Sequence, residues 1–175
     1  MKKISVPLLT LLFFGVMLFT HVGCTSERFK AVKAFYIQDC RGVCLAARTD
    51  KGVNTPVYKK GEDLIIHFKT KQLAYISVLY KDVEGVWYVL GYNHPNTNPN
   101  LVNKWLQLPS KLTFMYEPYG REEIRVIATS ERMMECSTES IGNGSMVVLD
   151  PDTCMMGIRH TNGYSEVSIP IKTTP

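Results

Sequence analysis

Ala74-Tyr75-Ile76-Ser77-Val78-Leu79-Tyr80 belongs to the clearest block of β-forming residues in this chain. Leu64-Ile65-Ile66-His67-Phe68-Lys69-Thr70 precedes it, and Val86-Trp87-Tyr88-Val89-Leu90 follows it after the polar turn Asp82-Val83-Glu84-Gly85. Short runs rich in Val, Ile, Tyr and Phe and bounded by turn residues predict strands. Three such strands joined by tight polar turns predict an antiparallel meander.

Similar patterns recur on both sides of this block. Within 123–129, Ile124, Val126 and Ala128 alternate with the residues between them, Ile127 included, which predicts one apolar face. The remaining strand patterns lie at 29–37, 112–116, 147–149 and 166–171.

Seven or eight short strands separated by turn signals are typical of a β-sandwich. We therefore predict a mainly β domain with little helix over residues 29–175, an antiparallel β-sandwich of the Ig-like or Greek-key kind. Residues 41–58 have no clear period and predict an irregular or weakly stranded connection. Residues 93–100 predict a loop because they contain two prolines, and 130–141 is compatible with a short helix.

Several pieces between 58 and 130 resemble, in their order, a family of bacterial modules called domain of unknown function 4384. The resemblance implies a β-sandwich module of an exported or envelope protein, often accessory to another domain, and it brings no catalytic residues. Where the family usually has an apolar-Tyr/Phe-Pro-Asn stretch, this chain has Leu90-Gly91-Tyr92-Asn93-His94-Pro95-Asn96. The pieces that carry the resemblance are Tyr58-Lys59-Lys60-Gly61-Glu62, 74–80, Gly85-Val86, the Asn- and Pro-containing stretch at 93–100, Leu108-Pro109, Pro118-Tyr119-Gly120-Arg121-Glu122 and Ile127-Ala128-Thr129-Ser130.

The first residues have the layout of a secretory signal. Lys2 and Lys3 form a short basic head, and residues 6–19 are almost without a polar interruption. This apolar run is shorter than the ~20 residues that span a bilayer, so a permanent transmembrane helix is the weaker interpretation.

His21-Val22-Gly23-Cys24, at the end of this signal, resembles the lipobox of bacterial lipoproteins. The resemblance implies cleavage before Cys24 and lipid on its sulfur, so that 1–23 is the signal peptide and 24–28 a lipidated tether. His21 stands where the family usually has Leu or another small or apolar residue, and ordinary cleavage nearby, for example after Gly23, is the alternative. Thr25 rather than Asp follows the cysteine, which by resemblance favours the outer membrane of the bacterial cell envelope.

Length and charge limit the possible functions of the exported part. Removal of residues 1–23 leaves 152 of the 175 residues, which is enough for one self-sufficient core. Those 23 residues hold two of the 20 Lys and Arg and none of the 16 Asp and Glu, so the rest has a net charge of +2. This balance does not favour a nucleic-acid partner.

Cys40, Cys44, Cys136 and Cys154 remain when Cys24 is set aside, an even number that favours disulfides in an exported chain. Three pairings are possible, and we prefer the local one, Cys40 with Cys44 and Cys136 with Cys154. A thiol-disulfide oxidoreductase using Cys40 and Cys44 is a less favoured alternative, because thioredoxin-type sites have two residues between the cysteines and this chain has three.

Other chemistry has little support in the sequence. His67, His94 and His160 are scattered, and no His-x-x-x-His or Cys-x-x-Cys spacing predicts a metal site. Asp150-Pro151-Asp152 predicts a solvated turn rather than a calcium loop. Nucleophile elbows and phosphate loops are also missing from the sequence. We therefore predict no enzyme activity, no metal and no cofactor.

Surface recognition remains, and aromatic residues near the predicted loop are its candidates. Trp87, Tyr92, His94 and Trp105 predict a ligand surface that stacks on a sugar or anchors a protein. Strand alternation also predicts that about half of the aromatic residues in this region are buried.

The sequence thus predicts a membrane-anchored lipoprotein with a non-catalytic module for binding or assembly in the cell envelope. The partners would be the membrane, through the lipid, and an envelope protein or glycan. The alternative function is a carbohydrate- or peptidoglycan-binding module.

Overall fold

The structure, a computed structural model, describes residues 40, 42–109, 112–114, 117–133, 136–140, 146–160 and 162–175. The signal at 1–23, the tether at 24–28 with Cys24, and the strand at 29–37 lie outside the described residues and stay predictions. The described part is mainly β, as predicted.

Its regular elements are strands of two to eleven residues, one α-helix and one 3-10 turn at Pro99–Leu101. They are β1 (Leu45–Thr49), β2 (Val57–Lys59), β3 (Asp63–Leu64), β4 (Ile66–Thr70), β5 (Ala74–Lys81), β6 (Trp87–Asn96), β7 (Leu106–Gln107), β8 (Leu112–Thr113), β9 (Arg121–Thr129), β10 (Thr138–Ser140), β11 (Met146–Val148), α1 (Pro151–Arg159) and β12 (Tyr164–Thr174).

The strands form three sheets. The largest has the order β10-β11-β6-β5-β9-β12-β2, the second has the order β1-β4-β7, and β3 pairs with β8. All pairings are antiparallel except the parallel pairing of β2 with β12. The sandwich arrangement and the Ig-like or Greek-key connections stay predictions.

The predicted three-stranded meander is wrong in one respect. β5 and β6 form a hairpin, but β4 pairs with β1 and β7 and lies in the smaller sheet. The connection at 71–73 keeps β4 there, because the Lys71 amide donates to the Cys44 carbonyl at 3.1 Å. The Thr70 hydroxyl also donates to the Gln72 carbonyl at 2.8 Å. The chain therefore changes sheets at this turn.

Side chains from all three sheets share one apolar cluster, the first cluster. Strand alternation supplies it: in β12 every second residue from Ser165 to Thr173 is buried, and the residues between them are exposed or half-buried. Burial of a Val, Ile, Leu or Phe side chain contributes about 1.5–3 kcal/mol, so this cluster is the main source of stability. Its most buried large members are Leu45, Tyr58, Leu64, Phe68, Ile76, Val78, Ile124, Ile169 and Ile171.

A second cluster lies on the opposite face of the large sheet, where α1 packs. Its members include Trp87, Ile127, Met155 and Ile158. The predicted apolar face of β9, formed by Ile124, Val126 and Ala128, is confirmed in the first cluster. Ile127 on the other face of β9 is also fully buried, in the second cluster.

Two strand assignments from the sequence are also corrected. Residues 41–58, predicted as irregular or weakly stranded, contain β1 and β2, and four of the five β1 residues are buried. The predicted loop at 93–100 begins later, because β6 continues to Asn96. β11 pairs with β6 only at Tyr88 and Val89, so no described strand pairs with this edge of β6 at Pro95. Pro95 is tolerated there because a proline, which has no N–H group, loses no hydrogen bond at an unpaired edge.

The helix is not where the sequence suggested. The described residues between 130 and 141 are irregular or belong to β10, and α1 instead begins after Asp150. The Asp150 carboxylate accepts from the Thr153 amide at 3.0 Å, and Pro151 occupies the first turn. The predicted solvated turn at 150–152 is thus a helix cap, the usual role of Asp followed by Pro.

The structure contains the preferred local disulfide pairing. Cys40 is bonded to Cys44, directly before β1, with Cα atoms 4.7 Å apart. Cys136 is bonded to Cys154, which joins the segment before β10 to α1 with Cα atoms 5.1 Å apart. The second disulfide therefore ties the helix to the sheet edge.

Candidate ligand cleft at strand β6

The structure does not bring the four predicted ligand residues together. Trp87 belongs to the second cluster and is only 8% exposed. The Arg125 guanidinium carbon lies 4.5 Å from its ring centroid. Arg125 is held in turn by Glu123 at 2.8 Å and by Glu166 at 3.0 Å. Trp87 is therefore part of the packing, and the stacking surface predicted for it is covered by a cation.

Trp105 lies elsewhere, next to the outward side of the β1-β4-β7 sheet. The Arg48 guanidinium carbon is 4.7 Å from its ring centroid, and the Lys69 ammonium is 5.4 Å from it. Two cations of the β1-β4-β7 sheet thus lie close to the Trp105 ring.

Tyr92 and His94 do line a common cavity, which has a volume of about 320 Å³. Its walls come from the large sheet and from the smaller sheets, and most of them are aliphatic. We call this cavity the cleft. It is lined by Ile66, Val78, Leu90, Gly91, Tyr92, Asn93, His94, Pro95, Leu108, Pro109 and Leu112.

An irregularity in the β5–β6 pairing shapes the cleft. The register shifts between Ile76 and Val78 and again between Val78 and Leu79. Opposite Ser77, the Asn93 amide donates to the Ser77 hydroxyl at 2.9 Å, and Asn93 has a positive φ of 51°. Such bulges re-aim the side chains that follow them. Here the bulge turns residues 90–95 of β6 into one wall of the cleft.

The Asn93 side chain fastens this bulge to another segment. Its carbonyl oxygen accepts from the Met133 amide at 2.9 Å, and its amide nitrogen donates to the Met133 carbonyl at 3.2 Å. Asn93 is therefore a clamp that holds the wall, since both ends of its side-chain amide are engaged.

His94 supplies an imidazole to the aliphatic cleft. Its ring meets the Phe68 ring edge-on at 6.5 Å between centroids. Nearby, the buried Asn96 side chain donates to the Thr70 hydroxyl at 2.8 Å. This arrangement can accept an apolar group and offer it one polar contact. In the part of the chain that the structure describes, no three His, Cys, Asp or Glu side chains are close enough to hold a metal ion.

A separate polar group lies at the margin of the first cluster. The Glu122 carboxyl is 7% exposed and accepts from the Tyr80 hydroxyl at 2.8 Å and from the Thr173 hydroxyl at 2.6 Å. Burial raises the pKa of Glu122 above its ordinary value, although the two hydroxyl groups oppose this shift. The pKa of Tyr80 is also raised, first by burial and then by its hydrogen bond to Glu122. Tyr80, Glu122 and Thr173 do not line the cleft.

Two cleft residues, Tyr92 and His94, were predicted from the sequence, but the aliphatic walls were not. Leu90, Leu108 and Leu112 looked like ordinary strand or loop residues, because a wall built from several strands has no local signature. One usable signal was Gly91, since an isolated Gly within a strand pattern marks a bulge. It would have located the bend but not the residues opposite.

No protein-family model and no curated protein matches the chain. The resemblance to the domain of unknown function 4384 family therefore stays a prediction. Among residues 40–175, as far as the structure describes them, no helix has both the length and the apolar character needed to cross a bilayer.

Proposed function

We propose that the chain is an exported lipoprotein of the bacterial cell envelope, anchored in the outer membrane through lipid on Cys24. Its β-rich domain would be a non-catalytic module whose cleft at β6 holds an apolar side chain of an envelope protein partner. The observation that carries the proposal is the cleft, with aliphatic walls and an imidazole at residue 94. The signal and lipobox-like sequence at 1–24 support the location.

The size and chemistry of the cleft favour a protein side chain. Ligand sites in proteins begin at about 300 Å³ and are mostly apolar with a few polar groups. A cavity of about 150 Å³ already holds a benzene-sized molecule, so about 320 Å³ accommodates a large aromatic or branched aliphatic group. Anchoring of such a side chain in a pocket is how protein interfaces commonly concentrate their binding energy.

A carbohydrate or peptidoglycan ligand is the second candidate, because aromatic side chains were predicted to stack on sugars. The positions of the two tryptophans weigh against it. Trp87 is buried under Arg125, and Trp105 packs against Arg48 and Lys69 rather than beside the cleft. A polar sugar would also place hydroxyl groups against aliphatic walls, which costs free energy when they lack hydrogen-bond partners.

The thiol-disulfide enzyme is the weakest candidate. Cys40 and Cys44 are bonded to each other and lead directly into β1 rather than to a helix N-terminus. The Cys44 amide donates to the Gln72 side chain at 2.8 Å, so the disulfide ring is fastened to the turn that joins the two larger sheets. A structural role explains these contacts.

The test is capture of partners from detergent-solubilised envelopes with wild-type and cleft-variant protein. Leu112→Asp places a carboxylate at the cleft wall, whereas Leu149→Asp makes the same change at an exposed residue outside the cleft lining. We expect Leu112→Asp to weaken capture of the partner at least tenfold, which corresponds to about 1.4 kcal/mol, and Leu149→Asp to leave it unchanged.

Thermal unfolding of both variants separates loss of binding from loss of fold. A folded Leu112→Asp variant that captures the same protein as wild type would contradict the cleft as the binding site. Recovery of glycan fragments instead of a protein, lost in the same variant, would replace the protein partner by the carbohydrate alternative.

A further inference from the structure

The β1-β4-β7 sheet has two faces of opposite character. Its inward residues, such as Leu45, Ile66 and Phe68, belong to the first cluster. On the outward side, His67 of β4 lies between Arg48 of β1 and Gln107 of β7, which are its partners on the two neighbouring strands. We call the outward side the basic face. Of its residues, Ala46 is buried, Arg48, His67, Lys69 and Trp105 are half-buried, and Gln107 is exposed.

The cations of this face are organised around one indole. Arg48 and Lys69 lie 4.7 and 5.4 Å from the Trp105 ring centroid. A cation held over an aromatic face is attracted by its quadrupole, so the ring orders both side chains on one side of the sheet. Lys104, the neighbour of Trp105 in the chain, is exposed.

The formal charges of the basic face are both positive, on Arg48 and Lys69. None of its six positions holds Asp or Glu, while the chain after Gly23 as a whole has a net charge of only +2. The concentration of positive charge is therefore local, and it complements an anionic surface.

This face also adjoins the end of the domain that leads to the predicted anchor. Cys44 precedes β1, and its carbonyl accepts from the amide of exposed Lys71 at 3.1 Å. The Asn103 amide, next to Lys104, donates to the Thr70 carbonyl at 2.7 Å. Two further lysines thus lie at the end of the sheet where the chain comes from the N-terminus.

Covalent geometry limits how far this end can move from a lipid on Cys24. Fifteen residues lie between Cys24 and Cys40, and the sixteen steps along the chain at about 3.3–3.6 Å each span roughly 55 Å at full extension. A lipidated chain would therefore keep Cys40, at the end of the sheet that carries the basic face, within roughly 55 Å of the bilayer surface.

We propose that the basic face binds the anionic phospholipid headgroups of the membrane in which the chain is anchored. The inference rests on the lipid anchor of the proposed function. Lys and Arg near an anionic leaflet are attracted to it, and Trp favours the membrane interface, where its ring meets both apolar and polar groups. A basic patch also adds to lipid anchoring as an independent membrane signal. The cleft at β6 consists of other residues, so it stays available to a protein partner.

The two tryptophans of the chain provide the readout. Trp87→Phe leaves Trp105 as the reporter on the basic face, and Trp105→Phe leaves the buried Trp87 as the matched control. The lipidated chain from Cys24 onward is reconstituted in vesicles that contain brominated lipid, with or without phosphatidylglycerol. We expect Trp105 to lose about half of its emission in anionic vesicles and little in zwitterionic vesicles, because interfacial Trp lies within contact of the quencher. Trp87 emission should be unchanged in both.

Charge reversal tests the cause of this quenching. Lys69→Glu and Lys71→Glu together should abolish the quenching of Trp105, and Lys59→Glu and Lys60→Glu together, the same change near β2, should not. Raising the ionic strength should weaken the quenching, because salt screens exposed charges. Equal quenching of both tryptophans, equal quenching in zwitterionic vesicles, or no quenching of Trp105 would overturn the proposal.

Flotation with the vesicles separates failure of this proposal from failure of the anchor. A chain that floats with vesicles but shows no selective Trp105 quenching contradicts the basic face and leaves the anchor intact. If the native chain does not float, the lipid anchor fails. Coupling the Cys24 thiol to a maleimide lipid then supplies a tether, and the same Trp105 readout still decides the role of the basic face.

Discussion

The two apolar clusters lie on opposite faces of one sheet but are closed in different ways. The first cluster is built by strand alternation, and its members are supplied by strands of all three sheets. The second is covered by α1, which the Cys136–Cys154 disulfide ties to the segment before β10. A core made by strand alternation can be recognised from local sequence. A core made by a helix cap and a long-range covalent bond cannot be recognised from alternation alone.

The largest expected difference comes from the same truncation in each cluster. Ile169 in the first cluster is fully buried, and Ile158 in the second is 3% exposed. We expect Ile169→Ala to cost about 4 kcal/mol and Ile158→Ala about 2.5 kcal/mol, because α1 can shift to fill a cavity whereas paired strands cannot. Ala also favours helix at position 158. Urea unfolding of both variants measures the difference, and equal costs would contradict the distinction.

The two disulfides close loops of different length. Cys136–Cys154 spans 18 residues and Cys40–Cys44 spans four. By loop-closure entropy, replacing the first pair with Ala should cost about 3 kcal/mol and replacing the second about 2 kcal/mol. Denaturant unfolding of the two double variants tests this order. A larger loss from the Cys40 and Cys44 variant would show that the short ring stabilises the fold by more than chain entropy.

Much of the fold was predictable because it follows from alternation. The hairpin of β5 and β6 and the strands at 123–129 and 166–171 are confirmed. The sheet change after Thr70 was not predictable, since it depends on hydrogen bonding of the 71–73 turn to Cys44, which is distant in sequence. The helix had a usable signal in Asp150-Pro151 that was interpreted as a turn. In the cleft, Tyr92 and His94 were predicted, but its aliphatic walls are assembled from several strands.

A titratable group at the margin of the first cluster gives a smaller, pH-dependent effect. The pKa of Glu122 is raised by burial above its ordinary value of 4.5. The folded state therefore keeps a proton that the unfolded state loses, and this stability is present below pH 4.5 and lost as pH rises through the folded pKa.

The glutamine in Glu122→Gln cannot ionise, so this variant should not lose stability as pH rises through the folded-state pKa of Glu122. We expect the stability of wild type relative to the variant to fall as pH rises from 4 toward neutrality, measured by urea unfolding at each pH. Glu123→Gln is a control of opposite sign, since burial is outweighed there by hydrogen bonds from Arg125 and Ser168 and the pKa is lowered. A wild-type minus Glu122→Gln difference that does not change with pH would contradict a raised pKa.

The smallest expected effect tests the cap of α1. Asp150→Ala removes the acceptor for the Thr153 amide, whereas Asp150→Asn keeps it. We expect faster amide hydrogen exchange in 151–159 for the Ala variant, near wild-type exchange for the Asn variant, and unchanged exchange in β5 and β9. Loss of protection throughout the large sheet would contradict a cap whose effect is confined to α1.

We propose that this domain works outside the cytoplasm on a lipid anchor at Cys24. The intact mass of the protein isolated from membranes of its own host tests this proposal. We expect a chain that begins at Cys24 and carries the mass of a diacylglycerol and an amide-linked acyl group, and we expect Cys24→Ser to be unlipidated and recovered in the soluble fraction. A wild-type mass equal to that of the unmodified polypeptide would contradict the claim.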